Sequence, residues 1–302
     1  MKILITGGAG HIGSFLVREL IKMAAVKKIF IIDSFVGENF YSVFNIKSKK
    51  ILKINEDILK INIKKIPKTN IVIHLAATTN AQESFKNKKL VYNNYLMTKK
   101  IVKYCNFNKS DLIFPSSTSV YGSSDDIVYE DNPDHLNPQS PYADVKVLEE
   151  NCIKNNCKKF RYLIFRLGTI YGISQGMRFH TAINKFCLQL VFNKKITIWK
   201  KNYNFVRPYL YLGDFSKVLF KIINGKKINY NQVYNLVSDN IKLKNIILNL
   251  KKVKKNLKLA FINTKLINQH SYNVSNDKIT KLGFNFSGNI QKEIDRTIKL
   301  FI

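Results

Sequence analysis

A glycine-rich turn directly after the first apolar segment constrains the fold more than any other feature of the chain. Residues 2–6 read Lys-Ile-Leu-Ile-Thr, and Gly7, Gly10 and Gly13 then recur every third residue as a helical pattern begins. Glycines in this place allow a tight strand-to-helix turn and let the backbone approach a pyrophosphate at the helix N-terminus. The pattern predicts an α/β fold whose first unit binds a dinucleotide.

Short β-branched segments alternate with helical patterns through the first half of the chain, which is typical of βαβ units and a parallel sheet. The predicted strands are Lys2–Thr6, Lys28–Ile32, Lys50–Asn55, Ile71–Leu75, Asp111–Pro115 and Tyr162–Arg166. The predicted helices include Leu90–Cys105, Tyr142–Asn155 and Thr181–Phe192. We predict a Rossmann-type, doubly wound parallel sheet in residues 1–168, to which residues 205–240 partly return. Residues 169–204 and 241–302 are predicted to form a smaller C-terminal substrate-binding lobe.

An acidic residue at the end of the second predicted strand indicates which dinucleotide binds. Asp33 lies twenty residues beyond Gly13. A carboxylate in this position accepts hydrogen bonds from the adenosine ribose hydroxyls and repels the additional phosphate of NADP. We therefore expect NAD as the cofactor.

The net charge of +30 raises the question of a nucleic-acid partner. Only six of the 50 basic residues are arginine, and the lysines are scattered from Lys2 to Lys299 among abundant isoleucine and asparagine. Nucleic-acid readers rely on arginine forks and clustered basic stripes, so we expect no nucleic-acid partner.

No apolar segment reaches the ~18 residues that span a bilayer, and the first strand leaves no room for a signal peptide. The four cysteines lack metal or disulfide spacing, which favours free thiols in the cytoplasm and no metal site.

A tyrosine and a lysine four residues apart form a candidate proton-transfer pair. Tyr142 and Lys146 would rise from one face of a helix, where an ammonium favours ionisation of the phenol. Tyr95 and Lys99 have the same spacing, so spacing alone does not identify the pair. Only the surrounding motifs separate the two.

The chain resembles the extended short-chain dehydrogenase/reductase superfamily, and within it the NAD-dependent nucleotide-sugar epimerases and dehydratases. The glycine turn, the His74–Ala77 segment and the serine-rich segment at residues 116–122 follow one another in that family's order. Ser117 matches its serine, and Tyr142 and Lys146 follow 25 and 29 residues later behind a Pro-Gln-Ser-Pro segment. Residues 166–172, 207–214 and 274–283 resemble later motifs of the family. The resemblance favours Tyr142 and Lys146 over Tyr95 and Lys99.

The resemblance implies a role for each matching residue. The implied catalytic residues are Ser117, Tyr142 and Lys146. The implied cofactor-binding residues are Gly7, Gly10, His11, Ile12, Gly13, Asp33, Asp57, Ile58, Leu75, Ala76, Ala77, Asn94 and again Lys146. The implied substrate-binding residues are Thr118, Thr169, Arg178 and Arg207, with an arginine fork suited to a diphosphate.

The resemblance favours epimerisation at C4 of a nucleotide hexose through a transient 4-keto sugar. Related 4,6-dehydratases carry an acidic residue just after the serine, whereas this chain has Thr118 and Ser119. A reductase, dehydrogenase or decarboxylase using the same Ser-Tyr-Lys set remains an alternative, and so does a non-enzymatic NAD-binding regulator. The family also implies a homodimer formed through the helices predicted at Leu90–Cys105 and Tyr142–Asn155.

Overall fold

A computed structural model describes residues 1–36, 39–79, 84–263 and 271–301. Its strands are β1 (Lys2–Thr6), β2 (Lys28–Asp33), β3 (Ile51–Asn55), β4 (Ile71–His74), β5 (Asp111–Ser117), β6 (Ile127–Val128), β7 (Tyr162–Leu167), β8 (Thr169–Tyr171), β9 (Ile196–Trp199), β10 (Val206–Tyr211), β11 (Gln232–Leu236), β12 (Asp239–Lys242), β13 (Leu259–Ile262) and β14 (Asn273–Val274). The α-helices that we number are α1 (His11–Leu20), α2 (Tyr41–Phe44), α3 (Lys88–Asn108), α4 (Pro141–Asn156), α5 (Ala182–Val191), α6 (Leu212–Ile223), α7 (Leu243–Val253), α8 (Asp277–Thr280) and α9 (Ile290–Lys299).

The main sheet has seven strands in the order β3-β2-β1-β4-β5-β7-β11. All neighbouring pairs are parallel, as in the register Ile5 to Ile31 on one side of β1 and Ile5 to Ile73 on the other. Strand order reverses between β1 and β4, and open α/β sheets bind ligands at the carboxyl ends of strands at such a reversal. The expected Rossmann-type sheet is confirmed, and its geometry directs attention to the ends of β1, β4 and β5.

Helices cover both faces of this sheet. Leu16 of α1 and Phe215 of α6 pack in one buried cluster, while Ile101 of α3 and Ile153 of α4 pack in a second cluster on the opposite face. Because both faces are covered, the central strands are largely apolar, and every residue of β7 is buried. This explains why the strands read as continuous β-branched segments rather than as alternating patterns.

A smaller lobe surrounds a third apolar cluster. Helices α5, α7 and α9 contribute to it together with β9 and Tyr209 of β10. A three-stranded sheet, β12-β10-β8, and the parallel pair β13-β9 complete the lobe. The chain crosses between the lobes repeatedly. Strand β11 joins the main sheet beside β7, and Ile279 and Phe284, from the segment assigned to the substrate lobe, pack in the core beside α1.

Candidate active site

A cavity of about 550 Å³ opens at the carboxyl ends of the central strands. Of the residues that the resemblance implied for catalysis, cofactor and substrate, all but Asn94 line it. Tyr95 and Lys99 do not, although their spacing equals that of Tyr142 and Lys146. The fold therefore brings together residues that are separated by as many as 200 positions in the chain, from Gly7 to Arg207.

The glycine turn forms one wall, and its packing leaves no space for side chains. Gly7 has a φ of +68°, and a Cβ there would lie 2.6 Å from the backbone nitrogen of Ala76. A Cβ on Gly13 would lie 2.6 Å from the carbonyl oxygen of Gly7. No side chain caps the N-terminus of α1 behind Gly10. The turn is thus a backbone cradle for an anionic group, as a dinucleotide pyrophosphate requires.

Acidic residues lie at the end of the cavity formed by β2 and the segment after β3. The two carboxylate oxygens of Asp33 accept from the backbone nitrogens of Ala9 and Phe35, both at 2.9 Å. Asp57 accepts from the Leu59 nitrogen at 2.8 Å, and Ile58 beside it is buried. These contacts fix the Asp33 carboxylate at the strand end, where the resemblance implies the adenosine ribose.

Two residues that the resemblance implied for cofactor binding act on the surrounding backbone. The His11 Nε2 lies 2.8 Å from the carbonyl oxygen of Gly172, and burial lowers the pKa of this imidazole to about 4. The neutral ring therefore donates to Gly172 and ties α1 to the segment after β8. Asn94 is fully buried and bonds both the nitrogen and the oxygen of Thr78 at 2.8 and 2.9 Å. Asn94 shapes the loop after β4 from behind the cavity wall.

A second buried histidine lies at the end of β4. His74 Nδ1 lies 2.6 Å from Thr6 Oγ1, which also accepts from the Ala76 nitrogen. Burial, reinforced by the positive charge of Lys146, lowers the pKa of His74 to about 3. The neutral ring links β1 to β4 at the cavity wall, which His74 itself lines.

Ser117, Tyr142 and Lys146 come together through one strand end and one helix turn. Ser117 ends β5, and α4 begins one residue before Tyr142 because Ser140 caps it by accepting from the Ala143 nitrogen at 3.2 Å. Burial raises the pKa of the Tyr142 phenol, and the charge of Lys146 and a hydrogen bond with Ser117 oppose that rise. The geometry places a hydroxyl, a phenol and an ammonium at one position in the cavity.

Lys146 itself is almost entirely buried, with 3% of its surface exposed. Its Nζ lies 3.4 Å from the carbonyl oxygen of Pro115 and 4.6 Å from the centre of the Phe114 ring. Its pKa is raised: burial lowers it, but the nearby carboxylate of Glu149 and the phenol of Tyr142 outweigh that effect. Lys146 is therefore an ammonium at neutral pH.

The residues implied for substrate binding line the side of the cavity that faces the smaller lobe. Thr118 Oγ1 lies 3.3 Å from the carbonyl oxygen of Leu167 and from the Tyr272 hydroxyl. Arg178 donates to Thr79 Oγ1 and reaches over the glycine turn, where a Cβ on Gly10 would lie 3.6 Å from its Nη2. Thr169 on β8 and Arg207 on β10 complete this side.

Sequence reasoning missed Gln139, Thr79 and Tyr272, which also line the cavity. Tyr272 is one of 15 tyrosines and contacts Thr118, which lies 154 positions earlier. No spacing in the sequence identifies such a contact. Gln139 belongs to the Pro-Gln-Ser-Pro segment, so the motif that located Tyr142 also pointed to it.

The fold and cavity define a class: a Rossmann-type protein with a dinucleotide cradle and a Ser-Tyr-Lys set. The comparison with known families agrees. The model of the NAD dependent epimerase/dehydratase family matches residues 3–236, and the chain belongs to that family. The predicted family and NAD cofactor are thereby confirmed.

The curated relatives include an enzyme named as a dehydratase and one named as an epimerase. A dTDP-D-glucose 4,6-dehydratase of Dictyostelium discoideum is 34% identical over 79% of this chain, which spans 58% of that protein. A putative UDP-glucose 4-epimerase of Methanocaldococcus jannaschii is 28% identical over 79% of this chain and 82% of its own length. Among solved structures, a UDP-glucuronic acid 4-epimerase from Bacillus cereus superposes with a TM-score of 0.91 at 24% identity, covering 100% of this chain and 99% of that chain. The last likeness supports the fold alone.

Proposed function

We propose that this chain is an NAD-dependent nucleotide-sugar epimerase that inverts C4 of a nucleoside-diphosphate hexose through a transient 4-keto sugar. The convergence of Ser117, Tyr142 and Lys146 beside the dinucleotide cradle carries this proposal. The curated relatives at 34% and 28% identity are named as nucleotide-sugar enzymes, which supports the substrate class.

The residues of the chain divide the chemistry among them. Tyr142, as a phenolate that the charge of Lys146 stabilises, accepts the proton of the sugar hydroxyl as its carbon is oxidised, and it thereby becomes a phenol. Ser117 hydrogen-bonds the reacting oxygen. When bound, NAD supplies the acceptor and later the donor of the hydride at that carbon. Because the keto sugar is reduced again on its other face, no net oxidation occurs.

The position of the carboxylates in the cavity supports epimerisation rather than dehydration. Among the described residues that line the cavity, the carboxylates are Asp33, Glu56 and Asp57, all at the adenosine end. Elimination of water from a sugar needs an acid and a base near C5 and C6, in addition to the group acting at C4. The positions after Ser117 hold Thr118 and Ser119, whose hydroxyls do not provide such an acid.

Arg207 and Arg178 are the proposed ligands of the nucleotide diphosphate. Both line the cavity, and burial lowers the pKa of Arg178 while the charges of Tyr142 and Asp33 raise it. An anionic partner stabilises a guanidinium held in such a cavity, because the cavity has removed part of its hydration.

We also propose a homodimer, formed through α3 and α4, in the cytoplasm. Tyr92 and Leu96 on α3 and Leu148 on α4 are exposed apolar residues, which supports an interface on this face. Cys105, Cys152, Cys157 and Cys187 are all free, as expected in a reducing compartment. No described helix combines the length and hydropathy needed to span a membrane. Sedimentation of the purified chain would measure the oligomeric state.

The test is a panel of nucleotide sugars, including UDP-glucose, UDP-glucuronic acid and dTDP-glucose, with products assigned by NMR. An epimer should form without accumulation of free NADH. A net reductase or dehydrogenase would change the NADH absorbance in step with product, a decarboxylase would release carbon dioxide and yield a sugar one carbon shorter, and a dehydratase would yield a 4-keto-6-deoxy sugar. Any of these results would refute the C4 epimerase.

Tyr142→Phe tests the proposed base. We expect turnover to fall at least about 10²- to 10⁴-fold, the usual contribution of a general base, while NAD still binds. Tyr95→Phe is the matched control, because Tyr95 has the same spacing to a lysine but lies outside the cavity. Normal turnover in Tyr142→Phe would show that another group is the base.

A further inference from the structure

The buried ammonium of Lys146 has a carboxylate partner one turn along its own helix. Lys146 Nζ lies 3.0 Å from Oε2 of Glu149, and the two side chains are 4% and 1% exposed. The other carboxylate oxygen of Glu149 accepts from Thr98 Oγ1 on α3 at 2.5 Å. Thr98 is itself fully buried, so Glu149 is held between the two helices next to the catalytic set.

The adjacent acid, Glu150, differs because its charge is already compensated. Arg166 donates to both of its oxygens at 3.0 and 2.8 Å, and Ser116 donates at 2.6 Å. For Glu149, Lys146 is the ion-pair partner in the described part of the chain. Glu149 therefore depends on the same cation as Tyr142.

Other charged and titratable groups surround this pair from each neighbouring element. They are Tyr142, Glu150 and Cys152 on α4, Lys99 on α3, His74 at the end of β4 and Arg178 from the segment after β8. His74 is neutral, since burial and Lys146 lower its pKa to about 3. Glu149 is consequently the buried carboxylate of α4 that shares the cation Lys146 with Tyr142.

We propose that Glu149 is a positioning residue. It holds Lys146 as an ammonium, offsets part of the positive charge that Lys146 presents to Tyr142, and so sets the pH above which Tyr142 acts as a base. An ammonium that is paired to a carboxylate stabilises a neighbouring phenolate less than an unpaired one does. The contributions to the pKa of Tyr142 agree in direction: burial raises it, Lys146 lowers it and Glu149 raises it. The use of this phenolate in turnover rests on the proposed function, but its ionisation does not.

The experiment measures ionisation of Tyr142 in the NAD-loaded protein without sugar substrate. Tyrosinate absorbance is recorded from about pH 6 to about pH 12, because the pKa of Tyr142 is raised by burial, and the Tyr142→Phe curve is subtracted to isolate this phenol. In Glu149→Gln, which keeps the size and an acceptor for Thr98, we expect the midpoint to fall by about one pH unit. The acidic limb of the pH–rate profile should move in parallel once a substrate is known.

Glu293→Gln is the matched control. Glu293 is also a buried acid paired with a cation three residues on, at 2.8 Å from Arg296, but it lies in the smaller lobe. It should leave the Tyr142 midpoint unchanged. Glu149→Asp keeps the charge while retracting it, so its midpoint should lie between wild type and Glu149→Gln, and it carries the test if the amide variant does not fold.

An unchanged or raised midpoint in Glu149→Gln, or in Glu149→Asp in its place, would overturn the inference. A shifted midpoint in a protein that epimerises no nucleotide sugar would uphold the inference and refute only the proposed function. The two failures are therefore distinguishable.

Discussion

Two buried neutral histidines should make the protein lose stability at mildly acidic pH. The pKa of His11 falls to about 4 and that of His74 to about 3, each mainly through burial. An ordinary histidine titrates near about 6.5. Between these values the unfolded chain binds protons that the folded chain does not. Burial of the two neutral histidines therefore costs no unfolding free energy above about pH 6.5. Below that pH the free energy of unfolding falls as the pH approaches the pKa values of the folded state.

The magnitude follows from the size of the shifts. Each histidine costs about 1.4 kcal/mol of unfolding free energy per pH unit in this window. From about pH 6.5 to about pH 5 the pair should cost about 4 kcal/mol, and His11 alone should cost about 3 kcal/mol by about pH 4. That is a large part of a typical total stability of about 5–15 kcal/mol. Glu130 acts in the opposite sense, because burial raises its pKa.

Urea unfolding, followed by circular dichroism at several values between about pH 7 and about pH 5, measures this effect. His11→Asn retains a side-chain N–H for the Gly172 carbonyl but no longer titrates. Its stability should fall with acid at about half the slope of the wild type, since His74 still contributes. The effect of Glu130 is common to both proteins and cancels in the difference. Equal slopes for the two proteins would refute the reasoning.

Three further variants, one of them a control, test the fold and the cofactor site. Arg166→Leu removes the partner of Glu150 from a fully buried pair and should cost about 3–5 kcal/mol in urea unfolding. Arg161→Leu removes a mostly exposed arginine from Asp111 and should cost at most about 1 kcal/mol, so equal losses would contradict the assignment of burial as the cause. Asp33→Ser removes the carboxylate that repels the NADP phosphate and should narrow the preference for NAD, measured as the ratio of the two dissociation constants; an unchanged ratio would contradict this role.

Local patterns predicted the parts of the fold that depend on neighbouring residues. Strand β1 was predicted at its observed bounds, and β5 continues two residues beyond the predicted Pro115 to Ser117. Helix α4 begins at Pro141 because a serine cap and a proline in the first turn fix it locally. The fingerprint and the motif order then separated Tyr142 from Tyr95, which spacing alone did not.

Burial and long-range contact account for what the sequence did not reveal. The Lys146–Glu149 spacing is visible in the sequence, but its removal from water is not. His11 and Asn94 occupy motif positions, yet their side chains hold Gly172 and Thr78 of neighbouring segments. Each of these roles depends on which distant backbone comes to lie opposite, and a single sequence carries no signal for that.

The position of β11 at the edge of the main sheet has a consequence for the order in which the chain assembles. Its hydrogen-bonding neighbour β7 ends at Leu167, whereas β11 begins at Gln232. During synthesis the edge of β7 is therefore open until the whole intervening segment, including most of the three-stranded sheet, has emerged. An unpaired apolar edge is a template for pairing between chains. Until residue 236 has been synthesised, a nascent chain of this protein therefore presents such an edge to other chains.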